Sequence, residues 1–344
     1  MRCLTLADAL KERGSQVRFL CRHLQEHLRQ LLDSKEHAFI SVDAEPVGEI
    51  GDLAHSEWLG TSQRADAKGC IDALRDQPCD WLVVDHYALD ERWETPLRQC
   101  TGKIFAIDDI ADRTHDCDLL LDQNFYGDMH DRYTGKVPHN CILLLGPKFA
   151  LLREEFRQLH AIARPRMGPV KRMFVFFGGT DSGNFTGVAI DALENIPRQD
   201  LHVDFVIGAQ HSRREQIKNA CERNHFDCHI QTNRMGELMA AADLAIGAGG
   251  ATTWERCALG LPSVVVAIAA NQVPTAVATS RVGATKFLGS ASEISATRLA
   301  REVCASFDST WINRTSRFCL EMVDAQGVPR IIEQMSDHVS RSHT

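Results

Sequence analysis

The sequence predicts an α/β protein made of two doubly wound domains in tandem, and three observations lead there. Short apolar runs bounded by polar residues alternate with helical patterns, as expected for strands buried on both faces of a parallel sheet. The alternation breaks once, at ARPRMGPVKR (163–172), where two prolines, a glycine and four basic residues intervene before it restarts. The length, 344 residues, suits two domains better than one.

In chain order, Leu4, Leu6, Ala7 and Leu10 recur at helical spacing until Gly14, so the chain opens on a helix. VRFLC (17–21) reads as the first strand. HAFISVD (37–43), DWLVVDHY (80–87), KIFAIDD (103–109), CDLLLDQN (117–124) and CILLLG (141–146) follow, with helical pattern between them, as around Ala65 to Leu74. A doubly wound sheet usually has its first strand at its centre. A domain that opens on a helix is therefore expected to lack that strand. Beyond the break come MFVFFGG (173–179), LHVDFVIG (201–208), FDCHIQ (226–231), DLAIGAGG (243–250) and PSVVVAIAAN (262–271). After Arg301 two stretches read as helices that could cross back toward the first domain, with SDHVSRSHT as a frayed end. The expected division is 1–163, 164–335 and a tail, 336–344.

Composition narrows the function. A 44% hydrophobic share and 24% charged residues are ordinary for a globular protein. The balance of 38 basic against 46 acidic residues argues against a nucleic-acid partner. No apolar run approaches the ~20 residues of a membrane helix, and Asp8, Lys11, Glu12 and Arg13 interrupt anything like a signal peptide. A cytoplasmic location is the expectation. The 12 cysteines are scattered without a C-x-x-C. Cys221, His225, Cys228 and His229 fit no standard zinc module, so no metal and no cofactor is expected.

In open α/β sheets ligands bind beyond the carboxyl ends of strands. FVFFGGTDSGN ends a strand with Gly178 and Gly179, which permit a tight turn, while Thr180 or Asp181 can cap the next helix. Such a turn suits a phosphate or is a plain strand-to-helix connection. ADLAIGAGGATTWERCALGLP ends a strand with Gly247, Gly249 and Gly250 and carries Glu255 five residues on. Glycines there let a diphosphate approach the backbone, and the carboxylate can accept both ribose hydroxyls; otherwise Glu255 complements a helix dipole. Asn271 and Gln272 close PSVVVAIAANQ as polyol binders or as turn residues. In the first half Asp85, His86, Tyr87, Asp108 and Asp109 sit at strand ends. His86 could act as a base and the Asp108/Asp109 pair could bind a metal, but capping or solvated roles are the expectation for them.

Taken together, RCLTLADAL with VRFLCR, VVDHY, IDDIADR, CDLLLDQN, LGPKFALLREEF, FFGGTDSGN, the ADLAIGAGGATTWE block and ANQ resemble the nucleotide-sugar hydrolases of pseudaminic acid biosynthesis. More distantly, the chain is similar to the lipid II-forming N-acetylglucosaminyltransferase and other enzymes of the glycosyltransferase-B architecture, with its two Rossmann-like domains. The resemblance implies metal-independent, inverting cleavage of a UDP-linked 2,4-diacetamido-2,4,6-trideoxy-altrose into UDP and free sugar. It implies that Glu255 holds the ribose, that Gly178, Gly179, Thr180, Asn184, Gly249 and Gly250 surround the diphosphate, and that Asn271, Gln272 and Tyr87 face the sugar. Tyr87 and Asn271 are the residues nearest the chemistry in that reading. The family also carries a strand and a Gly-x-Gly-His-x-x-Arg loop, whose histidine is the expected base. Arg2 aligns with the loop's arginine, so Met1 is expected to be an internal methionine of that loop. These residues are then expected to bind UDP and to hydrolyse the UDP-sugar poorly. A UDP-sugar glycosyltransferase of the same fold and a non-catalytic UDP-sugar-binding protein are the competing readings.

Overall fold

The structure is a computed structural model that describes residues 1–42, 51–196 and 200–341. Asp43, the expected end of the second strand, and residues 342–344 of the expected tail lie outside the described residues. The chain forms two compact units. Unit 1 comprises 1–124, 128–151 and the chain from 327 onward, and unit 2 comprises 125–127 and 152–326.

In unit 1 the opening helix Arg2–Glu12 is closed by Gly14 at φ +87°, a conformation glycine reaches without strain. The strands are β1 (Arg18–Cys21), β2 (Ala38–Ser41), β3 (Cys79–Val84), β4 (Thr101–Ile107), β5 (Leu119–Asp122) and β6 (Ile142–Leu145). β1 and β2 pair as a two-stranded parallel sheet, and β3-β4-β5-β6 form a separate four-stranded parallel sheet. Among the described residues unit 1 thus holds two separate parallel sheets rather than one. Ile104 and Ala106 of β4 join Leu74, Trp93 and Leu97 on one face. Phe105 and Ile107 join Leu6 and residues of the last helix, Gly327–Arg341, on the other. Burial on both faces explains why these strands read as continuous apolar runs.

Unit 2 carries β7 (Arg172–Phe176), β8 (His202–Ile207), β9 (Asp227–Ile230), β10 (Leu244–Ala248), β11 (Ser263–Ala267) and β12 (Lys286–Ser290). They make one parallel sheet in the order β12-β11-β10-β7-β8-β9. The strand order reverses at β7, whose neighbours are β10 and β8. The eleven expected strands all form, ten of them shorter than their apolar runs and β4 shifted two residues toward the N-terminus at equal length, while β12 is an addition. Its sequence, KFLGS, is half-buried at a sheet edge and lacks a sustained apolar run.

Three expectations are corrected. The ARPRMGPVKR stretch is not the junction, because units divide near Leu151/Leu152. It is fastened inside unit 2: Arg166 donates to the carbonyls of Ala242 (3.1 Å), Ala240 (2.9 Å), Met239 (3.2 Å) and Leu259, and its own N–H reaches Ser316 Oγ at 2.8 Å. The boundaries 1–163 and 164–335 therefore shift, and the chain from Gly327 returns to unit 1. Nor does Ser336 begin a frayed tail, since the last helix continues to Arg341.

Candidate functional site

In unit 2 the sequence-predicted residues lie along the carboxyl ends of three neighbouring strands, β11, β10 and β7, beside the point where strand order reverses. That position is where open α/β sheets bind ligands. After β7, Gly178 turns at φ +103° and Gly179 follows. A Cβ built on Gly178, Gly179 or Gly183 would meet nothing within 4 Å. Packing alone therefore does not require glycine at 179, and the turn leaves a bare backbone facing open space. Thr180 is exposed and caps no helix among the described residues. Asp181 does the capping: its carboxylate accepts the N–H groups of Phe185 (2.9 Å) and Thr186 (2.7 Å) and the Thr186 hydroxyl (2.6 Å), at the start of helix Phe185–Glu194. Asn184 enters that helix at φ +54°, its Oδ1 buried without a hydrogen-bond partner among the described residues.

After β10 the glycines divide by role. A Cβ on Gly247 would sit 2.6 Å from Arg256 Nη1 and 2.8 Å from the Phe176 carbonyl, so packing demands glycine there. Gly249 and Gly250 instead face Gln272, at 3.5 Å from a built Cβ to Gln272 Cβ and Nε2 respectively. Gln272 is braced by the Ile268 N–H, which donates to its Oε1 at 3.0 Å. Asn271 beside it is exposed, on a short 3-10 turn Ala270–Gln272. Glu255, on helix Thr252–Ala258, lies 3.4 Å from Arg153, which also holds Glu155 at 2.7 Å. Burial pushes the Glu255 carboxyl up, against the pull of Arg153. Arg153 is a partner the sequence reading did not supply, being 102 residues away in the chain.

In unit 1 the ends of β3 and β4 are tied by one guanidinium. Arg2 clasps Asp85 through Nε (3.0 Å) and Nη2 (2.7 Å) and reaches Asp109 Oδ2 through Nη1 (2.9 Å). Tyr87 Oη donates to the other Asp109 oxygen at 2.5 Å. Burial and the Asp109 charge push the Tyr87 hydroxyl up, so it stays a donor. Tyr87 also joins His55 (ring centroids 5.3 Å apart) and the exposed Trp58 (5.8 Å) in an aromatic cluster. His55 and Trp58 carried no motif in the sequence.

His86 takes the capping role expected of it. Its Nδ1 accepts the Ala88 N–H at 3.1 Å, which leaves the proton of the neutral ring on Nε2, and burial lowers its basicity. Asp108 is likewise internal: it accepts from Ala111 N–H (3.0 Å) and Arg113 Nη1 (3.0 Å), with His115 close by. Burial opposes its ionisation, but His115 and Arg113 hold it well below the usual carboxylate range. Asp122, at the end of β5, is pushed up to about 7 by burial, with Tyr133 Oη at 3.1 Å. The Cys221, His225, Cys228 and His229 set does not converge. His229 instead contacts Asp204 (2.8 Å), whose carboxylate Arg172 also clasps (2.7 Å), away from the site at the outer strands β8 and β9.

Residues 173–307 match the family described as "Glycosyltransferase family 28 C-terminal domain". The chain is 26% identical over 207 residues to the UDP-2,4-diacetamido-2,4,6-trideoxy-beta-L-altropyranose hydrolase of Campylobacter jejuni, covering 60% of this chain and 73% of that protein. It is 23% identical over 209 residues to the uncharacterized protein MJ1062 of Methanocaldococcus jannaschii, covering 59% of this chain and 43% of that protein. The chain thus spans less than half the length of the archaeal relative. Among solved structures it is similar to Acinetobacter baumannii MurG, with a TM-score of 0.66 and 12% identity over 98% of this chain and 95% of that one. The fold is the glycosyltransferase-B type, two Rossmann-like α/β domains.

Proposed function

We propose that the chain processes a UDP-linked sugar, and that its reaction is hydrolysis of the bond between the anomeric carbon and the diphosphate. The observation that carries the reading is the line of strand ends in unit 2. Unencumbered glycines at 178 and 179 and the Gly249–Gly250 turn against Gln272 follow the ends of three neighbouring strands, with a half-buried Glu255 on the helix after β10. Bare backbone amides suit a diphosphate, and a carboxylate suits paired ribose hydroxyls. The identity to a UDP-sugar hydrolase supports the choice of nucleotide and of sugar class.

In this reading water attacks the anomeric carbon, the carbon–oxygen bond to phosphate breaks, UDP carries away the electron pair, and the proton of water passes to a base. A nucleoside diphosphate, with a terminal pKa of about 6, leaves without needing a strong acid, so unit 2 acts chiefly by stabilising the developing charge. Glu255 takes the ribose, and Gly178, Gly179, Thr180, Asn184, Gly249 and Gly250 take the diphosphate. Asn271 and Gln272 of unit 2 take the sugar; in unit 1 the aromatic cluster at Tyr87 has the character that suits an apolar sugar face. His86, with Nδ1 occupied by backbone, is not the base.

The match to a glycosyltransferase domain over 173–307 favours transfer as the second reading. The test is UDP release from the UDP-diacetamido-trideoxy-altrose, without acceptor and with EDTA present. Steady turnover supports hydrolysis. UDP binding with release only after an acceptor is added supports transfer, and tight binding with no turnover under either condition supports a binding protein. Absence of any UDP binding sinks the nucleotide reading.

A further inference from the structure

Arg256 is fully buried, at 0% exposure, on the helix that follows the Gly249–Gly250 turn. Its guanidinium donates only to neutral oxygens: the Ala248 carbonyl (2.9 Å), Thr253 Oγ1 (3.0 Å) and Thr252 Oγ1 (3.2 Å). Its Nε has no hydrogen-bond partner among the described residues. The adjacent carboxylate, Glu255, acts on it through space but makes its ion pair with Arg153. The other titratable neighbours are the thiols of Cys257 and Cys319, the latter held protonated by its contact with Cys257 and by burial. Burial pulls the guanidinium down to about 10, so it remains charged at neutral pH. Gly247 is the residue that makes room for it, since any Cβ there would strike Nη1.

A buried charge without a counter-ion is costly, and replacement by an apolar side chain of similar length is often neutral or stabilising. Retaining such a charge one peptide below a glycine turn needs a compensating anion. We propose that Arg256 is a positioning and charge-supplying residue of the diphosphate site: the phosphates of a bound nucleoside diphosphate at Gly249–Gly250 are its counter-ion. The guanidinium acts through the turn, fixing Ala248, Thr252 and Thr253, and its field reaches the ligand undiminished by any protein carboxylate hydrogen-bonded to it. This rests on the diphosphate part of the reading above and adds to it the source of positive charge.

The experiment compares wild type, Arg256→Met and Arg256→Lys in the full chain. Binding of UDP, inorganic pyrophosphate and uridine is measured by NMR titration, and the melting temperature is measured without ligand. The Met variant is expected to melt no lower than wild type, to lose about tenfold or more in affinity for UDP and pyrophosphate, and to bind uridine within about twofold of wild type. The Lys variant is expected to recover most of the loss. A Met variant that fails to fold, that melts lower, that keeps its affinity for UDP, or that loses UDP and uridine equally overturns the proposal in favour of plain bracing. Wild type binding pyrophosphate but not UDP sinks the uridine reading alone, and the Met variant's pyrophosphate affinity then decides the role of Arg256. Wild type binding neither anion overturns both.

Discussion

Gly179 can carry a methyl group without touching the protein, which makes it a probe of ligand rather than of packing. Gly179→Ala is expected to leave the melting temperature unchanged and to weaken UDP about tenfold, roughly 1.4 kcal/mol, as read by calorimetric titration. A melting temperature that falls with affinity would show that the turn itself needs glycine. Asp122 offers a test through pH. Its carboxyl keeps its proton in the folded state up to about 7, whereas an unfolded chain loses it near pH 4. The folded-state pKa is raised, so the contribution to stability is present at acid pH and is lost as pH rises from about 4 to about 7. Asp122→Asn removes that loss. Urea unfolding should show the variant gaining on wild type by about 2–3 kcal/mol between about pH 5 and pH 8; a constant difference would place the proton elsewhere. Residues of this scale were legible in the sequence where a glycine or an amide follows an apolar strand, as at Gly178, Gly249 and Gln272. Arg153, Trp58 and Asp122 were not, because their meaning comes from neighbours brought together by folding: Glu255 for Arg153, Tyr87 for Trp58, Tyr133 for Asp122.

Strands of unit 2 were readable because they are buried on both faces, so five apolar residues in a row have one explanation. β12 escaped because an edge strand is half-wet and tolerates Lys286 and Gly289. The stretch 163–172 misled for a different reason. Its prolines and basic residues have the composition of a linker, yet Arg166 spends its donors on four backbone carbonyls inside one unit. Arg166→Ala leaves these acceptors short of partners. It is expected to destabilise unit 2 by roughly 2–4 kcal/mol in urea unfolding, with cleavage by trypsin at Lys171 becoming faster. A loss under about 0.5 kcal/mol would restore the linker reading.

At the level of the whole molecule, the expected pair of parallel α/β domains is present, but their boundaries in sequence are not the boundaries in space. Val328, Ile331, Ile332 and Met335 of the last helix pack with Leu6, Phe105 and Leu121 in unit 1. Ile331→Ala is expected to destabilise unit 1 by roughly 2–5 kcal/mol. UDP affinity, which the proposed reading assigns to unit 2, should stay within about twofold, the signature of a change confined to one unit. The return of the last helix also orders the birth of the protein. Residues 152–326 leave the ribosome before the helix that finishes unit 1. At about 5–20 residues per second that delay is roughly 10–35 s, during which Phe105, Ile107 and Leu121 have no cover from it. A nascent chain in that interval is a client for a chaperone that shields apolar surface, and a stalled one is a substrate for proteolysis from its first half.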